Sequence, residues 1–193
     1  SVVPGYMLTL GGKYTVKTPR SFELGQMYNF GGRVRDAGAI KTQGGQYKEL
    51  VLPLPDRREI TFQYPEVITL GRPTYLSNEI SQSVDFMVRE PPATGLIQIW
   101  TLNMPLDDFL ETSRNHSTVE YIHFATQKEK KGSLNYTVWD YTFYSRGNTI
   151  HGLEAFFDDE PYMYRISVYV DNTKYNESFR NLFDELVRSV TIK

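Results

Sequence analysis

The apolar pattern of this chain changes period once, near its end, and that change constrains the fold more than any other feature. Four segments alternate apolar and polar residues: Val119 to Gln127, Leu134 to Ser145, Thr149 to Phe157 and Tyr162 to Val170. Alternation at every second residue marks strands whose two faces meet different surroundings. The breaks between them are short and polar: Lys128 to Ser133, Arg146-Gly147-Asn148 and Asp158 to Pro161. Connections of that length join antiparallel neighbours, so the four segments predict a meander. Beyond them the spacing becomes three and four. Tyr175, Phe179, Leu182, Phe183, Leu186, Val187 and Val190 fall on one stripe, with Glu177, Arg180, Asp184, Glu185 and Arg188 on the other side. This predicts an amphipathic helix of about four turns. Its stripe must be buried, most simply across the sheet made by the preceding strands.

The upstream half reads as more strands and one short helix. Met7 to Leu10 and Lys13 to Val16 flank Gly11-Gly12, and weaker versions of the pattern surround Gly31-Gly32 and Gly44-Gly45. Gly-Gly supplies the positive φ angles of hairpin turns, so residues 1–46 are expected to form a β-hairpin extension to a domain spanning 47–193. Leu50, Leu52 and Leu54 alternate, as do Ile60, Phe62 and Tyr64, with Pro53, Pro55 and Asp56 breaking the pairing between them. Ser83 to Val88 and Leu96 to Trp100 are further strands, separated by a loop from Pro91 to Gly95. Leu106, Phe109 and Leu110 share one face of a short helix, for which Asn103 is the expected cap and Pro105 part of the first turn. The first-turn acids Asp107 and Asp108 suit the positive end of the helix dipole, which explains them better than a catalytic pair does. The whole predicts an α+β domain: an antiparallel sheet packed against a C-terminal amphipathic helix and a shorter helix.

Composition removes several functions. A net charge of −2 is wrong for a nucleic-acid binder, which must neutralise phosphates. No apolar run approaches the roughly 20 residues of a membrane helix. Cysteine is absent, which excludes thiolate chemistry and cysteine-ligated zinc; this fits an exported protein, and many cytosolic proteins equally. The chain opens Ser1-Val2-Val3-Pro4 without a signal peptide or initiator Met, so a targeting segment is expected to have been trimmed away. The Gly-Gly pairs match neither a dinucleotide-binding nor a Walker-type phosphate loop, and no serine sits in a nucleophile elbow. No cofactor is implied.

Two sets of side chains remain as candidates. Tyr136, Val138, Asp140, Thr142 and Tyr144 should point to one side of their strand, opposite a core set of Thr137, Trp139, Tyr141 and Phe143. Tyrosine is favoured at recognition surfaces, so Tyr136 and Tyr144 are the expected partner-binding residues, with cross-strand aromatic pairing as the competing explanation. The second set is His123 and His151 with Asp158 and Asp159. Two strand histidines could meet across a sheet and share a metal with a carboxylate. The run Asp158-Asp159-Glu160 could hold a hard cation, although it lacks a calcium-loop pattern and is built of ordinary turn formers. Lys128 to Lys131 reads as a solvated hairpin tip.

From about Tyr47 onward the sequence resembles the PsbP-like family, which includes the photosystem II extrinsic protein, the Ran-binding Mog protein and exported bacterial proteins of the DcrB type. The resemblance rests on Phe62-Gln63-Tyr64-Pro65, the helix Leu106 to Asn115, the long meander, and the closing Phe179-x-x-Leu182-Phe183-x-x-Leu186-x-x-Ser189-Val190. The tryptophan often found after Tyr-Pro in that family is replaced here by Val67-Ile68-Thr69. What the resemblance implies is an α-β-α sandwich used as an adaptor or assembly factor, exported or lipid-anchored, binding a protein or cell-envelope partner without catalysis. The alternative expectation is a small-molecule or metal-binding protein, or an enzyme, working through the histidines and the acidic turn.

Overall fold

The computed structural model describes residues 33–36, 47–73 and 76–193. Their strands form two antiparallel sheets. The larger has seven strands in the order β4 (Ile68–Pro73), β5 (Ile80–Val88), β6 (Ala93–Thr101), β10 (Tyr162–Asp171), β9 (Asn148–Asp159), β8 (Leu134–Ser145) and β7 (Tyr121–Lys131). The smaller orders β1 (Arg33–Asp36), β2 (Tyr47–Pro53), β3 (Glu59–Pro65) and β11 (Thr191–Ile192). Helix α1 (Leu106–Asn115) follows β6, and α2 (Glu177–Ser189) lies between β10 and β11.

The order of the large sheet explains the position of α1. After β6 the chain leaves the middle of the sheet, forms α1, and re-enters at the far edge as β7. The meander β7-β8-β9-β10 then fills the gap and closes against β6, Tyr162 to Val170 pairing with Thr101 to Ala93. The helix therefore lies over the strands it skips. Leu106, Phe109 and Leu110 pack with Trp100, Trp139, Phe156 and Met163, the Trp100 and Phe109 rings 5.6 Å apart.

The opposite face of the sheet carries Leu153, Phe157, Tyr164, Ile166 and Val168. These residues share one core with Leu50, Leu52, Ile60 and Phe62 of the small sheet and with Phe179, Phe183, Leu186 and Val187 of α2. Asn176 caps α2, its side chain accepting from Phe179 N at 2.9 Å. Both faces of the seven-stranded sheet are thus covered, which is why β9 and β10 are buried along almost their whole length instead of alternating.

Several local expectations need correction. β7 continues to Lys131, where Lys131 pairs with Leu134, so Lys128 to Lys131 are strand rather than tip. The turn is Gly132-Ser133, with Gly132 at φ 59. The meander's last turn is likewise shortened, since β9 runs through Asp158 and Asp159. The residue before α1 is Pro105, not Asn103, and no side chain caps the helix. Strand β6 starts at Ala93, inside the expected loop. Tyr175 and Val190 flank α2 rather than belonging to it. The expected hairpin about Gly11-Gly12 and the turns at Gly31-Gly32 and Gly44-Gly45 lie outside the described residues; Arg33–Asp36 pairs with Val51–Lys48.

Candidate partner-binding surface

Among the described residues strand β7 is an edge, paired with β8 on one side alone, and most of its residues are exposed. Long exposed edges invite pairing with other chains unless something blunts them. Here Lys128 and Lys130 do so in one half, and a bulge between Tyr121 and His123 in the other. Lys131 reaches away from the edge and donates to the backbone carbonyls of Arg188 and Val190, which closes the end of α2. Burial pulls this ammonium below the usual lysine range. The β7-β8 hairpin is in this way fastened to α2.

Tyr136 sits close to the turn of the hairpin, half-buried, its ring stacked on Phe157 with centroids 4.9 Å apart. The expectation of a free outer face on β8 therefore fails at this residue and at Val138, which is buried. The reason is that α2 and the small sheet cover that side. Burial pushes the Tyr136 phenol above its usual range, with Glu129 and Asp184 adding to the shift. Two open depressions meet at Tyr136. One, of about 320 Å³, runs between the hairpin and α2, with Val138, Phe183 and Val187 beneath and Arg180, Asp184 and Arg188 along its wall. The other, of about 260 Å³, lies on the α1 side among Leu106, Asp107, Lys128, Thr137 and Asp158. Tyr144, at the other end of β8, is 65% exposed, as is Ile122 at 63% on the neighbouring edge. The structure does not bring Tyr136 and Tyr144 together, since eight positions of β8 separate them.

The histidines and the acidic turn do not converge either. His123 and His151 both pair with Thr142, one on each side of β8, so about 10 Å of sheet separates their backbones. His123 is exposed. His151 is buried, and both its ring nitrogens are engaged: Nε2 lies 2.7 Å from Asp140 and Nδ1 3.2 Å from the Asn172 amide oxygen. Its ring stacks on Tyr175 at 3.6 Å, while Asp140 also accepts from Arg180 of α2 at 3.1 Å. The cluster pins the start of α2 to the sheet and leaves no ring nitrogen for a ligand. Asp158 and Asp159 lie at the far end of β9, about 23 Å of extended strand from His151. Asp159 is taken up by Arg58, at 2.8 Å, and by the Tyr164 hydroxyl. Hydrogen bonds to Asp159 and Asp56 raise the Arg58 guanidinium above its ordinary range, and burial with Asp159 does the same for the Tyr164 phenol. Among the described residues no three His, Asp or Glu side chains form a metal-holding group. The four-residue metal set therefore does not assemble, because strand pairing separates residues that the sequence alone left free to meet.

One group went unseen in the sequence. Glu154 and Arg165 are fully buried on the α1 side of the sheet. Arg165 donates to Glu154 Oε1 from Nε at 2.8 Å and from a terminal nitrogen at 2.5 Å, and to Gln98 Oε1 at 3.2 Å. Ser167 and Tyr169 donate to the same carboxylate oxygen, and Tyr141 donates to Oε2 at 2.8 Å. Gln98 in turn accepts from Trp100 Nε1 at 3.0 Å and donates to Ser83 at 3.1 Å. Burial, with Glu154 beside them, pushes the Tyr141 and Tyr169 phenols well above their usual range. A titratable cluster in a core is a common sign of a catalytic site, but this one has no exposed surface through which a substrate could enter. It specifies how β6, β9 and β10 align. Its signal in the sequence was a set of polar residues, Ser83, Gln98, Glu154, Arg165 and Ser167, in strands otherwise apolar.

A seven-stranded antiparallel sheet with helices and a small sheet on its faces defines an α+β domain with a PsbP-like fold. The solution structure of cyanobacterial PsbP from Synechocystis sp. PCC 6803 matches it with a TM-score of 0.53 at 16% identity, over 82% of this chain and 98% of that one. A crystal structure of a Pseudomonas aeruginosa protein of unknown function matches over 73% of this chain and 94% of its own, at 8% identity and a TM-score of 0.47. No family model matches the sequence, and neither does any curated protein. Identity this low shows the shared fold and nothing further. No helix among the described residues is long and apolar enough to cross a membrane.

Proposed function

We propose that this chain is a non-catalytic, extracytoplasmic binding domain whose β7-β8 hairpin docks a protein or cell-envelope partner, with residues 47–193 as the PsbP-like body and 1–46 as an extension. The observation that carries the proposal is the position of Tyr136. It stands where two open depressions meet, on a hairpin fastened to α2 at its tip. A rigid aromatic between concave surfaces suits a protein contact, since tyrosine brings large area at small entropic cost. The lack of cysteine is in keeping with export.

Site-specific photocrosslinking tests the proposal. A photoreactive phenylalanine analogue at position 136 should give a discrete adduct in the native host, whereas the same group at exposed Glu90, on the β5-β6 turn, should not. Equal labelling at both positions, or none at 136, would contradict it.

A further inference from the structure

Both ring nitrogens of His151 face acceptors. Nε2 lies 2.7 Å from a carboxylate oxygen of Asp140 on β8, and Nδ1 lies 3.2 Å from the side-chain oxygen of Asn172. A neutral imidazole carries a hydrogen on one nitrogen alone and can donate to only one of these oxygens, whereas an imidazolium donates to both. The side chain is 11% exposed, so water has little access to replace a missing donor.

The charges around the ring favour the same protonation state. Helix α2 contributes Arg180, whose guanidinium reaches Asp140 at 3.1 Å and Asp184 at 3.3 Å. Two carboxylates thus share one guanidinium, and the chain from His151 through Asp140 and Arg180 to Asp184 is neutral only when the ring is charged. Tyr175 stacks on the ring at 3.6 Å, and burial with Asp140 beside it holds its phenol above the ordinary range, hence uncharged. An aromatic face is also a favourable neighbour for a cation. Asp171, at the end of β10, accepts instead from the backbone and hydroxyl of Thr173, and Lys174 is exposed.

We propose that His151 is a proton-operated latch, its imidazolium clamping Asn172 and Asp140 so that the connection from β10 to α2 lies against the sheet. Asn172 opens the single 3₁₀ turn, Asn172–Lys174, through which the chain passes to Tyr175 and α2. Loss of the Nδ1 proton to water leaves two acceptors facing each other, Nδ1 and the Asn172 oxygen, and the connection lets go. This is the end that opens, because the Nδ1 contact is the longer of the two and Asn172 is exposed. Arg180 and Asp184 also wall the depression beside Tyr136, so the latch and the proposed partner surface share two side chains. The inference does not depend on what docks there.

Ring-nitrogen NMR and amide exchange on the full chain test the latch at about pH 5.5 and about pH 8.5, on either side of the range in which imidazoles titrate. At the lower pH both His151 nitrogens should show the shifts of an imidazolium. Protection factors at Tyr175, Phe179 and Arg180 should be about tenfold smaller at the higher pH, while Leu153 and Ile166 in the sheet keep theirs. His151→Gln should abolish this pH response. Asn172→Asp sets a second carboxylate against the ring and should move the release upward by about one pH unit, a shift that packing alone would not produce. Three results would overturn the proposal: a singly protonated ring at the lower pH with the Asn172 amide turned to donate to Nδ1, unchanged protection across the range, or the same pH response in His151→Gln.

Discussion

Glu154 accepts from Arg165 Nε at 2.8 Å across β9 and β10, and neither residue has any exposed surface. Such a pair contributes little net stability over an apolar pair of the same volume, because two charges had to leave water to form it. Removing one partner is different, since the other is then left charged in the core. Arg165→Met should cost about 3–5 kcal/mol in urea denaturation. The double variant with Glu154→Leu should cost less than the sum of the two single changes. Additive losses would mean that the two residues act separately.

Gly152 allows one further contact in this network. A Cβ placed there would lie 2.7 Å from the Tyr141 ring, which sits over the glycine and sends its hydroxyl to Glu154. Gly152→Ala should therefore destabilise by about 1–3 kcal/mol through overpacking. Most of that cost should vanish in a Tyr141→Ala background, a coupling that a double-mutant cycle measures directly.

Asp158 gives a pH dependence with a definite sign. Its folded-state carboxyl is raised above the ordinary value of 3.8, first by desolvation and then by Glu160, Asp107 and Asp159. The folded state thus holds this proton more tightly than the unfolded chain does. The resulting stability is present below 3.8 and is lost as pH rises through the folded value. Asp158→Asn should accordingly be more stable than the parent protein at neutral pH, with the difference closing below pH 3.8. The urea midpoints of both proteins across that range check this.

Lys131 joins the hairpin to α2 by donating to the carbonyls of Arg188 and Val190. Lys131→Met keeps most of the stem and removes the donor. Amides in the last turn of α2 should then exchange faster, while Phe179 and Phe183, whose side chains are held in the core, keep their protection. Uniform acceleration along the helix would argue against a local fastening.

The parts legible in the sequence were those whose periodicity depends on one neighbour. The strand from Leu134 to Ser145 and the stripe from Phe179 to Val187 each announce a single buried face, and the structure places both elements where the pattern does. Reading failed where two partners compete for one residue. Tyr136 alternates as though exposed, yet Phe157 and the α2 side of the sheet half cover it. His151 looked free until the fold brought Asp140 of the neighbouring strand to one ring nitrogen and Asn172 to the other. Asp159 looked like a turn residue, but Arg58 reaches it from the turn between β2 and β3. Glu154 and Arg165 were visible only as charges in greasy strands, because their partnership exists through pairing between strands and not through spacing along one.

Hydrogen exchange on the chain, alone and bound to the partner captured through position 136, tests the docking of that partner on the hairpin most directly. Protection should appear in Gln127 to Thr137 and in the α1 turn at Leu106 and Asp107, and be absent from β4 and β5. Protection confined to β4 and β5, with the hairpin exchanging as in the free chain, would contradict the assignment of this surface.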